Sequence, residues 1–305
     1  MNTTHSLAQQ LRGLIRLTRW KEYLPFVIPL TIVGALMAAR PHGINLDLRL
    51  VAVTIANILA VAYAFMINDI EDAPDDALDP ARAARNPITT GEIGVRIGYA
   101  ACRVVAAATL IAYAFGGLEV LAIGIVTLLL SHFYSWRPVR LKAWPVTDVV
   151  SHSLMLSGLL FIAGYFIYHN APGIVWLVAA SVTLVSVYGQ LYNQLRDYDM
   201  DKAAGLFNTA IVLGENNTRW LMYSVVVMAG AFMVGAITQG VFPLWLGIVA
   251  LAGVPISMMM RSKTDMRGTA VIDQSGVVQV QALVIFNMIA IVWLVWAILE
   301  QLVLL

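Results

Sequence analysis

The sequence predicts an all-α protein that crosses a membrane about nine times and forms a single domain over residues 1–305. Hydrophobic residues make up 60% of the chain and charged residues only 12%, with a mean hydropathy of +0.78, whereas soluble proteins carry about 25% charge. Nine apolar runs approach the ~20 residues that a helix needs to cross a bilayer. These runs are predicted to be helical, because backbone groups in lipid must be satisfied internally and a barrel strand would alternate with period two.

The first 23 residues predict an amphipathic helix that lies on the membrane surface. Apolar and basic residues alternate there with helical spacing: Leu7, Leu11, Ile15 and Leu17 against Arg12, Arg16 and Arg19. This leader is longer and more polar than the start of a secretory signal, and the run after it has the character of a span, so we expect no cleaved signal peptide. Its basic residues are expected to anchor the chain and set its topology.

The apolar segments follow one another with alternating short and long links. We place them at residues 24–39, 50–68, 97–115, 117–134, 148–168, 173–193, 219–238, 241–260 and 278–304. After the link at 40–49, the chain turns tightly near Gly116, Ala171 and Gly240. The remaining links are long and polar: 69–96, 135–147, 194–218 and 261–277.

The distribution of basic residues predicts the orientation of the chain. Most of them precede the first span or lie on the side of the long links: Arg12, Arg16, Arg19, Lys21, Arg82, Arg85, Arg96, Arg137, Arg140, Lys142, Arg196, Lys202, Arg219, Arg261, Lys263 and Arg267. Only Arg40 and Arg49 lie in a link on the opposite side. By the positive-inside rule, the N-terminus and the long links are cytoplasmic and the C-terminus is on the other side.

An acidic pattern occurs twice, each time after a long apolar run. It is an asparagine followed by two aspartates at four-residue intervals: Asn68, Asp72 and Asp76, then about 125 residues later Asn193, Asp197 and Asp201. Positions four apart lie on one face of a helix, so each set predicts a polar stripe at the membrane boundary. Four helices separate the sets, which places both on the same side and indicates a parallel pseudo-repeat. Pro74 is expected to end or kink the first stripe before Asp76.

Two stripes of like charge are explained most simply by a bound cation. Carboxylates at this spacing repel each other, and stability alone does not account for them. All-oxygen ligands favour Mg²⁺ or Ca²⁺, and Mg²⁺ usually takes one or two carboxylates together with water and substrate phosphates. Facing stripes would therefore suit Mg²⁺ ions that hold a diphosphate. The alternative, that these are solvated loop acids, does not explain the repeated spacing. The single cysteine, Cys102, excludes an internal disulfide and a cysteine-cluster metal site.

The link at 135–147 carries candidate cations for that diphosphate. Arg140 and Lys142 are candidates to bind phosphate oxygens, and Tyr134 is a candidate hydrogen-bond donor. Arg85, which follows the first acidic stripe, is a further candidate. We interpret Arg137 as a topology determinant only.

Four sequence blocks occur in a fixed order along the chain. They read N-D-x-x-D-x-x-x-D at 68–76, R-N-P-I at 85–88 followed by Gly91, Y-S-x-x-P-x-R-L-K at 134–142, and R-D-x-x-x-D-K at 196–202 followed by Gly205. As a set, these blocks resemble the UbiA superfamily of intramembrane prenyltransferases, and the likeness covers nearly the whole chain. The count of nine helices agrees with the fold of that superfamily.

The resemblance implies a helical bundle around a central cavity that is capped on the cytoplasmic side. It implies an enzyme in which Mg²⁺ holds the diphosphate of an isoprenoid donor, with catalytic metal ligands and supporting asparagines in the two stripes: Asp72, Asp76, Asp197 and Asp201, with Asn68 and Asn193. Arg140 and Lys142 would neutralise the leaving diphosphate. The implied partners are a prenyl diphosphate, a hydrophobic or aromatic acceptor and the lipid bilayer; we expect no nucleic acid.

Other functions remain open at this point. A membrane terpene cyclase on the same scaffold would ionise the same donor and use no acceptor. A cation transporter would place its acids near the bilayer midplane, whereas these lie at span ends. His152 follows Asp148 by four residues, so the two form a candidate general base for an acceptor, although such a histidine more often serves as a hydrogen-bonded helix residue.

Overall fold

A computed structural model describes residues 7–39, 46–169, 171, 173–203, 205–259, 264 and 271–303. Its α-helices, in chain order, are α1 Leu7–Thr18, α2 Leu24–Ala39, α3 Leu48–Asp76, α4 Pro80–Arg85, α5 Val95–Ala114, α6 Leu118–Ser135, α7 Thr147–Ser153, α8 Leu159–Phe166, α9 Val175–Arg196, α10 Tyr198–Ala203, α11 Thr209–Leu213, α12 Glu215–Thr238, α13 Leu246–Met259 and α14 Gln274–Val303. A π-helical turn, Leu154–Gly158, joins α7 to α8. Four basic residues used to predict the orientation lie outside the described residues: Arg40, Arg261, Lys263 and Arg267.

The predicted all-α membrane fold is confirmed, and the count of nine spans is approximate. Each of the nine apolar segments contains helix within the described residues. Seven helical stretches are long and apolar enough to cross a membrane, or eight if α1 and α2, which meet at a 60° bend, count as one broken span. The helix α13 is shorter, with 14 residues.

A buried asparagine ties four helices together in the core. Asn57 of α3 donates to the Thr31 hydroxyl of α2 at 2.7 Å and to the Leu160 carbonyl of α8 at 3.0 Å. The side-chain oxygen of Asn57, Oδ1, accepts from the Tyr113 hydroxyl of α5 at 2.6 Å. Asn57, Thr31 and Tyr113 are each 0% exposed. Because an unpaired polar group is expensive in such surroundings, this set of bonds fixes how the four helices meet.

Two glycines allow α2 and α8 to pack backbone against backbone. A Cβ on Gly34 would lie 2.4 Å from the Phe161 carbonyl oxygen, and a Cβ on Gly164 would lie 2.4 Å from the Thr31 carbonyl oxygen. Neither distance is possible for a real side chain, so both positions require glycine. Small residues play this role at helix contacts in membranes, where close approach replaces the hydrophobic driving force.

Pro74 does not end the first stripe before Asp76, which corrects one of the two expectations for this proline, since α3 continues to Asp76. Proline removes the hydrogen bond to the carbonyl four residues earlier. Side chains from other elements donate to the carbonyls on either side of that position: Asn86 Nδ2 to Asp69 at 2.7 Å, and Arg137 Nε to Glu71 at 2.9 Å. These external donors support the last turns of the helix around the proline.

The second stripe is interrupted by one residue. The helix α9 ends at Arg196, Asp197 is its C-cap, and Asp201 lies in α10. The backbone still bonds across the break, from Asp197 N to the Asn193 carbonyl at 3.0 Å and from Asp201 N to the Asp197 carbonyl at 2.9 Å. The four-residue spacing of the stripe therefore survives in the structure.

Candidate active site

The first acidic stripe meets the predicted basic link directly. Lys142 Nζ donates to Asp72 Oδ2 at 2.5 Å and to Asn68 Oδ1 at 2.8 Å. The Asn68 oxygen also accepts from the Ser135 hydroxyl at the end of α6, at 3.1 Å. The structure thus brings Lys142 together with Asn68 and Asp72. In the sequence, this lysine is 74 residues from Asn68 and 70 residues from Asp72.

Arg140 completes this cluster from a strained backbone position. Its guanidinium contacts Asp72 Oδ1 at 3.2 Å and Asp75 Oδ2 at 2.6 Å. Arg140 adopts the left-handed conformation (φ 44°, ψ 61°) as the N-cap of the 3₁₀ turn Leu141–Ala143. Non-glycine residues are held in that region only when their surroundings over-determine it, which is common at functional sites. The two ion pairs are such surroundings.

Arg137, interpreted from the sequence only as a topology determinant, contacts the same acidic segment of α3. Its backbone N–H donates to Glu71 Oε2 at 3.2 Å, and its guanidinium donates to Asp75 Oδ1 at 3.0 Å as well as to the Glu71 carbonyl. The other carboxylate oxygen of Glu71 accepts from the Tyr99 hydroxyl of α5 at 2.6 Å. Arg137 therefore clamps the basic link onto α3 and presents Arg140 and Lys142 to Asp72.

The surroundings of Lys142 lower its affinity for a proton. Burial lowers the pKa of Lys142, and the ion pair with Asp72 offsets this effect in part. The lysine side chain is 15% exposed. Its contact with Asp72 is a charge-assisted hydrogen bond, which is stronger than one between neutral groups.

Asp76 is held by Asn86, which was not a candidate from the sequence. Asn86 Nδ2 donates to Asp76 Oδ2 at 2.8 Å, and Asn86 Oδ1 accepts from Ile88 N at 2.9 Å. Asn86 is 2% exposed. The R-N-P-I block was the only sequence signal for it, and that block drew attention to Arg85 instead.

Asp201 has an equivalent asparagine in the second half of the chain. Asn208 Nδ2 donates to Asp201 Oδ2 at 2.9 Å, and Asn208 Oδ1 accepts from Ile211 N at 3.0 Å. Burial and then the nearby Asp197 raise the pKa of Asp201 to about 6. In both halves, a buried asparagine that follows the stripe orients its last carboxylate.

One cation reaches from the first half of the chain to the second stripe. Arg82 of α4 lies 3.9 Å from Asp201 Oδ1, and Arg196 Nε donates to the neighbouring Asp197 at 3.1 Å. The helix α4 follows the first stripe in sequence. Its contact with Asp201 therefore brings the two acidic stripes to a common region.

Asp148 holds the segment that carries Asn208. Its carboxylate is 0% exposed and accepts from Thr209 N at 2.7 Å, from the Thr209 hydroxyl at 2.5 Å and from Gln194 Nε2 at 2.7 Å. Gln194 Oε1 in turn accepts from Ala210 N at 3.0 Å. These bonds give Asp148 an anchoring task, which argues against its use with His152 as a general base.

Three further predicted site residues are Tyr134, Arg85 and Asn193. The Tyr134 hydroxyl of α6 accepts from Gln190 Nε2 of α9 at 3.2 Å, and its ring lies 5.9 Å from that of His152 of α7. Arg85 is half-exposed, and its guanidinium lies 3.9 Å from Glu22. Asn193 lies half-buried on α9, four residues before Asp197.

The oxygen donors of the two stripes suit Mg²⁺. Within the described residues, no group of three acidic, histidine or cysteine side chains lies close enough to enclose a metal by itself. The donors come instead from the two stripes, and the pKa of Asp201 is raised partly by the charge of Asp197. Such carboxylates fit a cation that completes its shell with water and phosphate oxygens, as Mg²⁺ does.

Comparison with known proteins agrees with this geometry. The model of the UbiA prenyltransferase family matches residues 27–274 of this chain. The chain belongs to the UbiA prenyltransferase family. It is accordingly a prenyltransferase of the membrane, and the resemblance found in the sequence blocks is confirmed.

Relatives within this family carry different names. The chain is 29% identical over 272 residues to a lycopene elongase/hydratase of Haloferax volcanii, covering 82% of this chain and 83% of that protein. It is 23% identical over 215 residues to a 4-hydroxybenzoate octaprenyltransferase of Francisella tularensis subsp. novicida, covering 70% and 74%. A UbiA homolog from Archaeoglobus fulgidus bound to GPP and Mg²⁺ has the same fold, with a TM-score of 0.71, 20% identity and coverage of 94% and 99%.

Proposed function

We propose that this UbiA-family prenyltransferase is Mg²⁺-dependent and transfers an isoprenoid chain from a prenyl diphosphate to a lipophilic or aromatic acceptor, releasing diphosphate. The observation that carries the proposal is the cluster of Lys142 and Arg140 against Asp72, in contact with Asn68 at the end of a long apolar helix. The Mg²⁺-bound structure of the A. fulgidus homolog supports the metal requirement.

In this proposal, the two stripes supply the metal ligands and the basic link supplies cations for the leaving group. Asp72, Asp76, Asp197 and Asp201 would hold Mg²⁺, with Asn68 and Asn193 beside them. When bound, Mg²⁺ would neutralise diphosphate charge and join it to these carboxylates. Lys142 and Arg140 would turn from Asp72 toward diphosphate oxygens and stabilise the negative charge that develops as the allylic C–O bond ionises.

The asparagines and the clamp keep these groups in place. Asn86 and Asn208 hold Asp76 and Asp201 in one orientation, and Arg137 holds the basic link against α3. The apolar helices around the site would exclude water from the cationic prenyl group, whose tail would lie among them. Tyr134 and Arg85 would be further contacts for the diphosphate.

The orientation in the membrane is part of the proposal. The excess of basic residues in the leader and the long links supports a cytoplasmic active site and N-terminus, with the C-terminus on the opposite side. The apolar side chains of Leu7, Leu11 and Ile15 on α1 are exposed, which supports a leader that lies in the membrane surface.

The test is diphosphate release by the purified protein from prenyl diphosphates of increasing length. Reactions would contain Mg²⁺ or EDTA, and no acceptor, 4-hydroxybenzoate or lycopene, with products weighed by mass spectrometry. We expect Mg²⁺-dependent release that requires an acceptor and yields an adduct. Release without an acceptor, with a terpene product, would replace transfer by cyclisation. No release from any donor, or equal release in EDTA, would contradict the proposal.

Site variants test the assignment of the residues. Lys142→Ala and Asp72→Asn should each lower kcat by about 10²–10³-fold, the usual loss when one charge-stabilising group is removed. Lys21→Ala is the matched control, because Lys21 is an exposed lysine near the same membrane boundary. Wild-type activity in Lys142→Ala would remove this lysine from the site.

A further inference from the structure

A groove open to the membrane lies on the outer face of the bundle, between α3, α5 and α6. It has a volume of about 270 Å³, and its walls include Ala106 and Leu110 of α5 and Leu129 of α6. These residues are apolar and lie in helices that are long and apolar enough to span a bilayer. A hydrocarbon chain would therefore fit the walls.

The groove also contains a hydrogen-bonded polar pair, which lipid contact alone does not explain. The Tyr63 hydroxyl of α3 lies 2.9 Å from His132 Nδ1 of α6, and both residues line the groove. The His132 ring stacks on Trp136, with 5.3 Å between ring centroids. His132 is near the end of α6 that leads to the basic link, so the polar pair lies in the half of the membrane that adjoins the acidic stripes.

An arginine that does not itself line the groove lies on the same face of α5 as two residues that do. Arg103 shares one face of α5 with Ala106 and Leu110, because the three residues are spaced by three and four. The helices α5 and α6 form an antiparallel hairpin in which Gly124 packs against Tyr113. Arg103 lies ten residues before Tyr113 on α5, and residue 134 lies ten residues after Gly124 on α6. Arg103 and residue 134 are therefore at similar depth in the membrane, and His132 is two positions from residue 134.

Arg103 is in an unusual position for a charged residue. It lies eight residues into α5, about 12 Å from the start of that helix, and its side chain is exposed. Within the described part of the chain, no hydrogen bond or ion pair holds its guanidinium. Charged residues at membrane depth usually face the interior of the bundle or a partner. This one faces the lipid.

We propose that the groove is a binding site for one anionic phospholipid from the leaflet that adjoins the acidic stripes. The phosphate would pair with Arg103 and accept a hydrogen bond from the Tyr63–His132 pair, and one acyl chain would run along Ala106, Leu110 and Leu129. Arg103 would favour an anionic headgroup over a zwitterionic one, because the choline cation of a zwitterionic lipid offsets the charge of its phosphate. The site is separate from the Lys142–Asp72 cluster and does not depend on the proposed reaction.

The test is lipid retention measured by native mass spectrometry. The full-length protein would be purified in detergent and titrated with phosphatidylglycerol or with phosphatidylcholine of the same acyl chains. We expect one phosphatidylglycerol to bind more tightly than the others, and Arg103→Ala to weaken that binding by about fivefold. Arg219→Ala is the matched control, because Arg219 is a partly exposed arginine near the same end of a different span.

A second variant tests the hydrocarbon part of the site while leaving its charge intact. Leu129→Trp would fill the groove, and the half-exposed position of Leu129 on the lipid side tolerates a larger side chain. We expect this variant to weaken the binding of that lipid, as Arg103→Ala does. Equal retention of the two lipids by the wild type, or an equal loss in Arg219→Ala, would overturn the proposal, as would displacement of the lipid by a prenyl alcohol at equal concentration.

Discussion

The two asparagines that orient the last carboxylate of each stripe lead to a sharp prediction. Replacing Asn86 with alanine removes two donated hydrogen bonds, to Asp76 Oδ2 at 2.8 Å and to the Asp69 carbonyl at 2.7 Å, and one accepted bond from Ile88 N at 2.9 Å. A bond to a charged partner contributes about 1.5–3 kcal/mol and a neutral bond about 1 kcal/mol. The variant should therefore lose roughly 3–5 kcal/mol of stability, because Asn86 is almost fully buried.

The loss of orientation should appear in the metal requirement as well as in stability. Removing a group that orients a metal ligand typically weakens metal affinity by about 10–100-fold. We expect the Mg²⁺ concentration for half-maximal diphosphate release to rise by about that factor in Asn86→Ala and in Asn208→Ala. The control is Asn216→Ala, since Asn216 is exposed in the first turn of α12.

Two measurements separate orientation from general destabilisation. Thermal unfolding in detergent with EDTA reports stability without the metal, and a Mg²⁺ titration of activity well below the unfolding temperature reports the site. If both variants unfold earlier but keep the wild-type Mg²⁺ requirement, the asparagines only support the fold and the reasoning about the carboxylates is refuted.

Three further changes test the scaffold. Asn57→Leu leaves the Tyr113 hydroxyl unpaired in the core and should lower stability by about 2–4 kcal/mol, measured by thermal unfolding in detergent; an unchanged midpoint would contradict this. Gly164→Ala should disrupt the contact of α8 with α2, whereas Gly189→Ala, whose new Cβ would meet its nearest neighbour at 3.9 Å, should be tolerated; equal expression and stability of the two would argue against the close contact. Arg137→Ala should raise the KM for the prenyl diphosphate by about tenfold, because a clamp that positions the basic link is lost; a wild-type KM would return Arg137 to a purely topological role.

The sequence predicted much of the fold because hydrophobicity leaves few choices in a membrane. Nine apolar segments indicated nine helical regions, and each contains helix in the structure. Their ends were less predictable. The acidic end of α3 continues past Pro74 to Asp76, and Asn86 and Arg137 donate to its carbonyls from elements that no local pattern reveals.

The candidate site divides in the same way. Asn68, Asp72, Arg140 and Lys142 were selected from spacing and charge, and the structure brings these four together. Arg137 was set aside because a single arginine in a link is usually a topology signal. Its role depends on contact with Glu71 and Asp75, more than sixty residues earlier in the chain.

The sequence by itself therefore determined which segments lie in lipid and which in water, and it determined the repeated acidic stripe and the basic link. These features depend on composition and on the helical repeat. The tertiary structure alone decided which side chains orient the carboxylates and which arginines act on them. It also placed Arg103 on the face of α5 that contributes Ala106 and Leu110 to the groove of the Tyr63–His132 pair, in a hairpin where Tyr113 packs against Gly124. Long-range contacts of this kind depend on how helices pack against each other, and they cannot be predicted from the helical repeat of the sequence.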